Sequence, residues 1–268
     1  MKELTLQEIQ AISLDILKVF DAFCRENGIR YFLSNGTLLG AVRYKKFIPW
    51  DDDIDVLVPR EDYDRLIRIF RDDDRYRLFA FEKNRDYPFP FAKLCDRTTR
   101  KVDVVYSRRR VDLGVNIDIF PLDAFHSDPA KAGREVGRIR RYMACLGYTK
   151  IHRPMTDHIG ERAVWGVIIA LAKMMGGQYF IKKILQECRR LPTAGSAFLG
   201  AKAWCMYGTR DIIPAEVFAD TVELEFEGAL FHAPIGYDTY LRYLYGDYLP
   251  EPPKEKQKSH HFIKAYRL

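Results

Sequence analysis

Four aspartates fall within five positions, at Asp51, Asp52, Asp53 and Asp55, and run directly into Val56-Leu57-Val58. This stretch constrains the fold more than any other. Pro49 keeps Lys45 to Asp52 a loop. From Asp53 the residues alternate polar and apolar and then become apolar throughout, which predicts a strand over Asp53–Val58. In a strand, residues two apart share a face. Asp53 and Asp55 would then stand side by side while Ile54 and Val56 pack into a core behind them. Two adjacent carboxylates repel unless a cation lies between them. Hard oxygen ligands that leave positions for water and substrate phosphate suit Mg²⁺, with Mn²⁺ as a substitute. Two such ions can clamp the attacking and leaving oxygens of a phosphoryl transfer. A solvated turn or a helix cap is the bland alternative, and these residues alone leave it open.

A site of this kind needs a third carboxylate from a neighbouring strand. Asp118 in Ile117-Asp118-Ile119 is the best candidate, because its neighbours turn inward and leave it projecting alone from the other face. A lone buried carboxylate would be costly without a partner. Asp123 is the weaker rival. Upstream, Ser34-Asn35-Gly36-Thr37 reads as a turn entering a short helix, Leu38 to Arg43, capped by Asn35 or Thr37. Helix N-termini bind phosphate through free N–H groups; Gly36 permits close approach and Thr37 adds a hydroxyl. Arg43, Lys45 and Lys46 lie between the two features and could neutralise a diphosphate. Taken singly, a Gly-Thr pair is also an ordinary turn, and these cations are also ordinary solvent-facing residues.

Elsewhere the pattern predicts a helix over 4–27 stopped by Gly28, a strand at Tyr31–Leu33 and a helix over Arg60–Phe70. Further strands are expected at Arg77–Phe81, Phe91–Leu94, Val102–Tyr106 and Gly114–Phe120, the last ended by Pro121. From about Ala130 the pattern becomes helical, over 130–149, 159–190 and a shorter Ala197–Tyr207. Val222–Phe226 and Ala229–Phe231 form a hairpin about Glu227-Gly228, Tyr237–Leu244 a short helix, and a Pro- and Lys-rich tail follows Pro250. Strands alternating with helices, followed by a mainly helical half, point to an α/β or α+β chain. The expected division is a catalytic core over 1–128 and a mainly helical region with a hairpin over 129–268, packed back on the core.

The 268 residues carry a formal net charge of +6, unevenly spread. Residues 129–200 hold 13 Lys and Arg against 4 Asp and Glu, so the rest of the chain is slightly acidic. A solvated basic face explains this, as does contact with phosphate or a membrane surface. The basic residues show no aromatic-interleaved recognition motif, and no nucleic acid is expected. Five widely spaced cysteines without a C-x-x-C pair argue against a disulfide framework or a zinc finger and fit a cytoplasmic location. MKELTLQEIQ has no apolar h-region. The longest apolar run, Ala163 to Ala172, is too short to span a bilayer. Residues 163–183 read as a core helix or as an interfacial helix at the inner face of the membrane, with Trp165, Arg162, Lys173, Lys182 and Lys183 at anionic lipid. His260 and His261 read as a solvated tail, with reach to the site as the alternative.

GTLLGAVRYKKFIPWDDDIDVLVPREDYDRL at 36–66 resembles the signature of the LicD family of phosphotransferases. FAKLCDRTT at 91–99, NIDIFPLD at 116–123 and YLRYLYGDYLPEPP at 240–253 match in the same order, so the resemblance spans about residues 4–262 and is weakest over 129–200. It implies an α+β fold: a nucleotidyltransferase-like mixed β-sheet core flanked by helices, then a mainly helical C-terminal half. It also implies transfer of a phospho-alcohol, typically phosphocholine, from a CDP-activated donor to a sugar hydroxyl. The acceptor would be a cell-surface glycan precursor such as lipopolysaccharide, teichoic acid or capsule, free or lipid-linked. By the resemblance Asp53 and Asp55 are the metal-binding D-x-D, Asp51 a further ligand, Asp118 the third carboxylate and Lys93 a donor-phosphate contact. Gly36, Thr37 and Arg43 would orient and neutralise the phosphates. The family has His-Lys-Gly where this chain has Tyr44-Lys45-Lys46-Phe47. Nucleotidyl transfer with release of pyrophosphate is the rival chemistry, and a non-catalytic glycan-binding relative the rival class.

Overall fold

The computed structural model describes residues 1–103, 113–151, 159–257 and 263–268. The chain opens with a short strand, β1 (Lys2–Glu3), and a long helix, α1 (Leu6–Glu26). Thr5 caps α1: its hydroxyl accepts the Glu8 N–H while the Glu8 carboxylate accepts the Thr5 N–H. This reciprocal pair satisfies donors that a helix start leaves free. Ile9, Ile12, Ile16, Leu17 and Phe20 recur at helical spacing and are buried.

Next come β2 (Phe32–Leu33), α2 (Asn35–Tyr44), β3 (Asp55–Pro59) and α3 (Arg60–Ile69). Two boundaries differ from expectation. α2 begins at Asn35, not Leu38, because Ser34 already stands at the N-cap and its carbonyl accepts the Leu38 N–H. β3 begins at Asp55, not Asp53, so Asp53 lies in the loop and does not share a strand face with Asp55. Gly40 in α2 lies against that loop: a Cβ there would sit 2.5 Å from the Lys46 carbonyl oxygen. Lys45 closes α2 in the left-handed conformation (φ 55), the place where helices favour glycine.

β4 (Tyr76–Phe79), β5 (Ala92–Asp96), β6 (Thr99–Asp103) and β7 (Asn116–Phe125) follow. The expected strand Val102–Tyr106 is displaced toward its N-terminus, and residues 104–106 lie outside the described residues. β7 does not stop at Pro121. Its pairing with β5 ends at Ile119, and its pairing with the later strand β8 (Phe198–Gly200) starts at Asp123. Pro121 therefore falls in the gap on that side, where a missing N–H costs no ladder bond. The main sheet runs β2-β3-β7-β5-β4, with β3 and β7 parallel and the other neighbours antiparallel. α1 packs on β5 and β7, and α3 on β3 and β7.

In the second half, α4 (Pro129–Tyr148) starts on an Asp128 cap with proline in its first turn. The expected helix over 159–190 is two helices, α5 (Ile159–Met175) and α6 (Gly177–Cys188), bent by 78°. Gly176, with φ +78, makes the break. The expected helix Ala197–Tyr207 is instead β8 followed by a 3-10 turn at Lys202–Trp204, because β8 extends the sheet through β7 and pairs onward with β9 (Ile213–Pro214). β10 (Thr221–Phe226) and β11 (Ala229–Pro234) form a hairpin whose turn residues Glu227 and Gly228 both have positive φ, as its tight turn requires. α7 (Tyr237–Tyr245) precedes the tail. That tail ends in an unexpected strand, β12 (Ile263–Arg267), which lies between β1 and β6.

The architecture is therefore mixed α and β. One core cluster takes residues from α1, β3 and β7 and also Phe226, Phe231, Tyr240, Leu241 and Leu244. A second lies between α4 and α6, with Val136, Ile139, Phe180 and Ile184 against Phe125 of β7. No single described helix is long and apolar enough to cross a membrane.

Candidate active site

Strand register assembles the site. Asp55 of β3 pairs with Asp118 of β7, and Asp118 pairs on its other side with Lys93 of β5. Residues in register across neighbouring strands share a face, so Asp55, Asp118 and Lys93 form one row across three strands. The Lys93 ammonium donates to Asp118 Oδ1, as does the Asn116 side-chain amide. The same ammonium lies 5.0 and 5.2 Å from the ring centroids of Phe89 and Phe91.

The start of α2 closes on this row. The Thr37 hydroxyl accepts the Asp55 backbone N–H at 2.9 Å. Asn35 takes φ +47, a conformation that asparagine tolerates better than most residues. Its amide nitrogen donates to Asp55 Oδ2 at 3.0 Å, and its amide oxygen accepts from the Tyr240 hydroxyl at 3.0 Å. Gly36 clears room for the next carboxylate: a Cβ on Gly36 would lie 2.6 Å from Asp51 Oδ2. The Asp51 backbone is tied down as well, its N–H donating to the Ile48 carbonyl and its own carbonyl accepting from Gln10. Carboxylates beside a helix N-terminus are favoured by the helix dipole.

Burial, and then the carboxylates of Asp53, Asp118 and Asp51, push the Asp55 carboxyl well above the usual carboxylate range, while the Asn35 amide pulls it back. Tyr207 and Tyr245 meet hydroxyl to hydroxyl at 3.0 Å. Burial raises both phenols, and the field of Asp55 adds to it. Among the described residues, no three Asp, Glu, His or Cys groups already converge to hold an ion. Asp55 leans on Asn35, and Asp118 on Lys93. The donor set suits a hard divalent cation, being all oxygen and mutually repelling.

The structure thus brings Asp51, Asp53, Asp55, Asp118, Lys93, Gly36 and Thr37 into one neighbourhood. Arg43 is engaged elsewhere. Its guanidinium donates to the carbonyls of Tyr248 and Pro250, fastening the Gly-Asp-Tyr-Leu-Pro segment that follows α7 to α2. Asp123 is also accounted for: Arg60 grips it with two 2.7 Å hydrogen bonds in a buried pair. Lys45 pairs with Glu225 of the hairpin. His260 and His261 lie outside the described residues. In the sequence Asn35 reads only as a cap, and Tyr240 carries no role. Tyr240 opens one matched block and Asn35 immediately precedes another, which is the signal the sequence offers for them.

Carboxylates on adjacent sheet strands, beside a glycine-opened helix start, define a class before they define a family. Residues 28–132 match the family model described as "LicD/FKTN/FKRP, nucleotidyltransferase domain", a span that contains Gly36, Asp51, Asp53, Asp55, Lys93 and Asp118. Over 280 aligned positions the chain is 32% identical to the lipopolysaccharide cholinephosphotransferase LicD of Haemophilus influenzae, covering 100% of both chains. It therefore belongs to the LicD family. An uncharacterized protein of Rickettsia prowazekii is 28% identical over 60% of this chain and 56% of its own length. One from Rickettsia typhi is 40% identical over 23% of this chain and 20% of its own.

Proposed function

We propose that the chain transfers phosphocholine from CDP-choline to a sugar hydroxyl of a lipopolysaccharide precursor. The observation that carries this reading is the Asp55–Asp118–Lys93 row inside a chain that aligns end to end with the Haemophilus cholinephosphotransferase. Teichoic acid and capsule precursors offer the same hydroxyl chemistry. A cytoplasmic site, at the inner face of the membrane where glycan precursors are lipid-linked, suits a CDP-activated donor.

Asp53 and Asp55, with Asp51 and Asp118 beside them, would hold Mg²⁺ or Mn²⁺, which supplies charge neutralisation at the donor diphosphate. The remaining work falls to the chain. The start of α2, through the backbone at Gly36 and Thr37, orients phosphate oxygens. Lys93, released from Asp118 when an anion enters, offsets the charge that grows on the phosphoryl oxygens. Asp118 then accepts the proton of the acceptor hydroxyl. The hydroxyl oxygen bonds to the choline-bearing phosphorus, the bond from that phosphorus to the bridging oxygen breaks, and CMP departs with the electron pair. Asn35 and Tyr240 hold Asp55 in place throughout. Arg43 belongs to the support of the tail, from which a donor contact would require it to detach.

Nucleotidyl transfer is the second reading, since the matched family model is that of a nucleotidyltransferase domain. The products separate the two. Incubation with Mg²⁺ and CDP-choline, CDP-glycerol or CDP-ribitol should release CMP, fastest from CDP-choline. Pyrophosphate release from a nucleoside triphosphate, with no CMP from any CDP-alcohol, would establish the rival. Absence of both products and of metal binding would leave a glycan-binding protein.

A further inference from the structure

α5 turns an apolar stripe away from the body of the protein. Val164, Val167, Ile168, Leu171, Met174 and Met175 recur at helical spacing along one side. Met174 is 82% exposed, Val164 and Val167 60% each, and Leu171 53%. From Glu161 to Met175 the buried residues are Ile169 and Ala172, which anchor the helix from its other side. An amphipathic surface helix ordinarily points such a stripe at the core, and contiguous exposed apolar patches of this kind mark interaction sites.

We infer that this face docks on an anionic lipid surface, with the helix lying along the membrane and not through it. Three observations select that occupant. No single described helix is long and apolar enough to cross a membrane, and past the 78° bend α6 spends its apolar face, Phe180, Ile181, Ile184 and Leu185, on the second core cluster, so it does not continue α5 into lipid. Trp165, beside the stripe and edge-on to Tyr148, and Tyr179 just past the bend are both partly exposed, as amphipathic aromatics at a water–lipid boundary are. The two helices carry Arg162, Lys173, Lys182 and Lys183 within a segment, 129–200, of 13 basic and 4 acidic residues. Anionic headgroups complement that charge. A second copy of the chain would bring the same cations face to face, which costs free energy. This inference does not depend on the reaction proposed above, although a lipid-linked acceptor would give it a purpose.

The test is flotation of the full-length protein with phosphatidylcholine vesicles, with and without phosphatidylglycerol, at low and high salt. The wild type should float with the anionic vesicles, and less so at high salt. A variant combining Val167→Glu, Leu171→Glu and Met174→Glu should lose at least about tenfold in the bound fraction. Its melting temperature and its CMP release from a soluble donor should not change. Wild-type protein that stays wholly soluble at low salt, equal flotation of the triple variant, or equal binding to neutral vesicles would overturn the inference. So would a dimer in sedimentation that the triple variant converts to monomer without any flotation, since the occupant would then be a second copy.

Discussion

Asp118 and Asp123 sit on one strand five residues apart, and their substitution by asparagine should produce opposite phenotypes. Asp123 is 1% exposed and Arg60 9%, and the two share a bidentate pair with both hydrogen bonds at 2.7 Å. Asp123→Asn places an amide against a buried guanidinium, whose remaining carboxylate contact is the longer 3.4 Å one to Asp64, itself gripped by Arg189. Breaking a buried pair in this way costs about 3–5 kcal/mol. For a chain of this size that corresponds to a fall in melting temperature of roughly 6–20 °C. Asp118→Asn also takes a carboxylate from a largely buried cation, but Lys93 retains the faces of Phe89 and Phe91 and the substitution removes a charge that repels Asp55. It should cost only about 1–2 kcal/mol yet abolish turnover. Thermal unfolding followed by circular dichroism, paired with CMP release, reads both quantities. An Asp123→Asn protein with unchanged melting temperature and no activity would refute the assignment and make Asp123 the third carboxylate.

Asn35→Ala should reduce kcat about tenfold for a stability loss of about 1–2 kcal/mol, because it frees Asp55 without opening the core. Tyr240→Phe should do the same more weakly, since its hydroxyl reaches Asp55 only through Asn35; steady-state kinetics with a thermal-shift control checks both. Burial pushes the Asp211 carboxyl up to about 7. Between the ordinary carboxylate range and that value the folded chain keeps a proton that the unfolded chain has released. Its contribution is thus present at low pH and lost as pH rises through about 7. Asp211→Asn should remove that slope from urea unfolding midpoints measured between about pH 5 and pH 8.

The carboxylate row was legible because the chemistry and the alternation occupy the same residues: Asp55 and Asp118 each lead or interrupt an apolar strand. Their register was not, since pairing across strands separated by more than sixty positions depends on the sheet as a whole. Asn35 and Tyr240 lie 205 residues apart, and no local pattern joins them. Pro121 reads as a terminator under a rule that holds when both edges of a strand are paired, whereas here one edge changes partner at that point. Gly176-Gly177 did carry a break signal, overridden by the apolar periodicity on either side. β12 was hidden because its partners are the far N-terminus and β6, and Pro- and Lys-rich residues precede it. The exposed stripe of α5 shows the limit of pattern reading, since periodicity identifies an apolar face but not what covers it.

The central claim is that the carboxylates of β3 and β7 transfer a phosphocholine group. The most direct measurement is mass spectrometry of a lipopolysaccharide oligosaccharide incubated with Mg²⁺, CDP-choline and either wild-type or Asp55→Asn protein. The account predicts a phosphocholine adduct and stoichiometric CMP with the wild type, and neither with a folded Asp55→Asn variant. Near-normal adduct formation by that variant would contradict it.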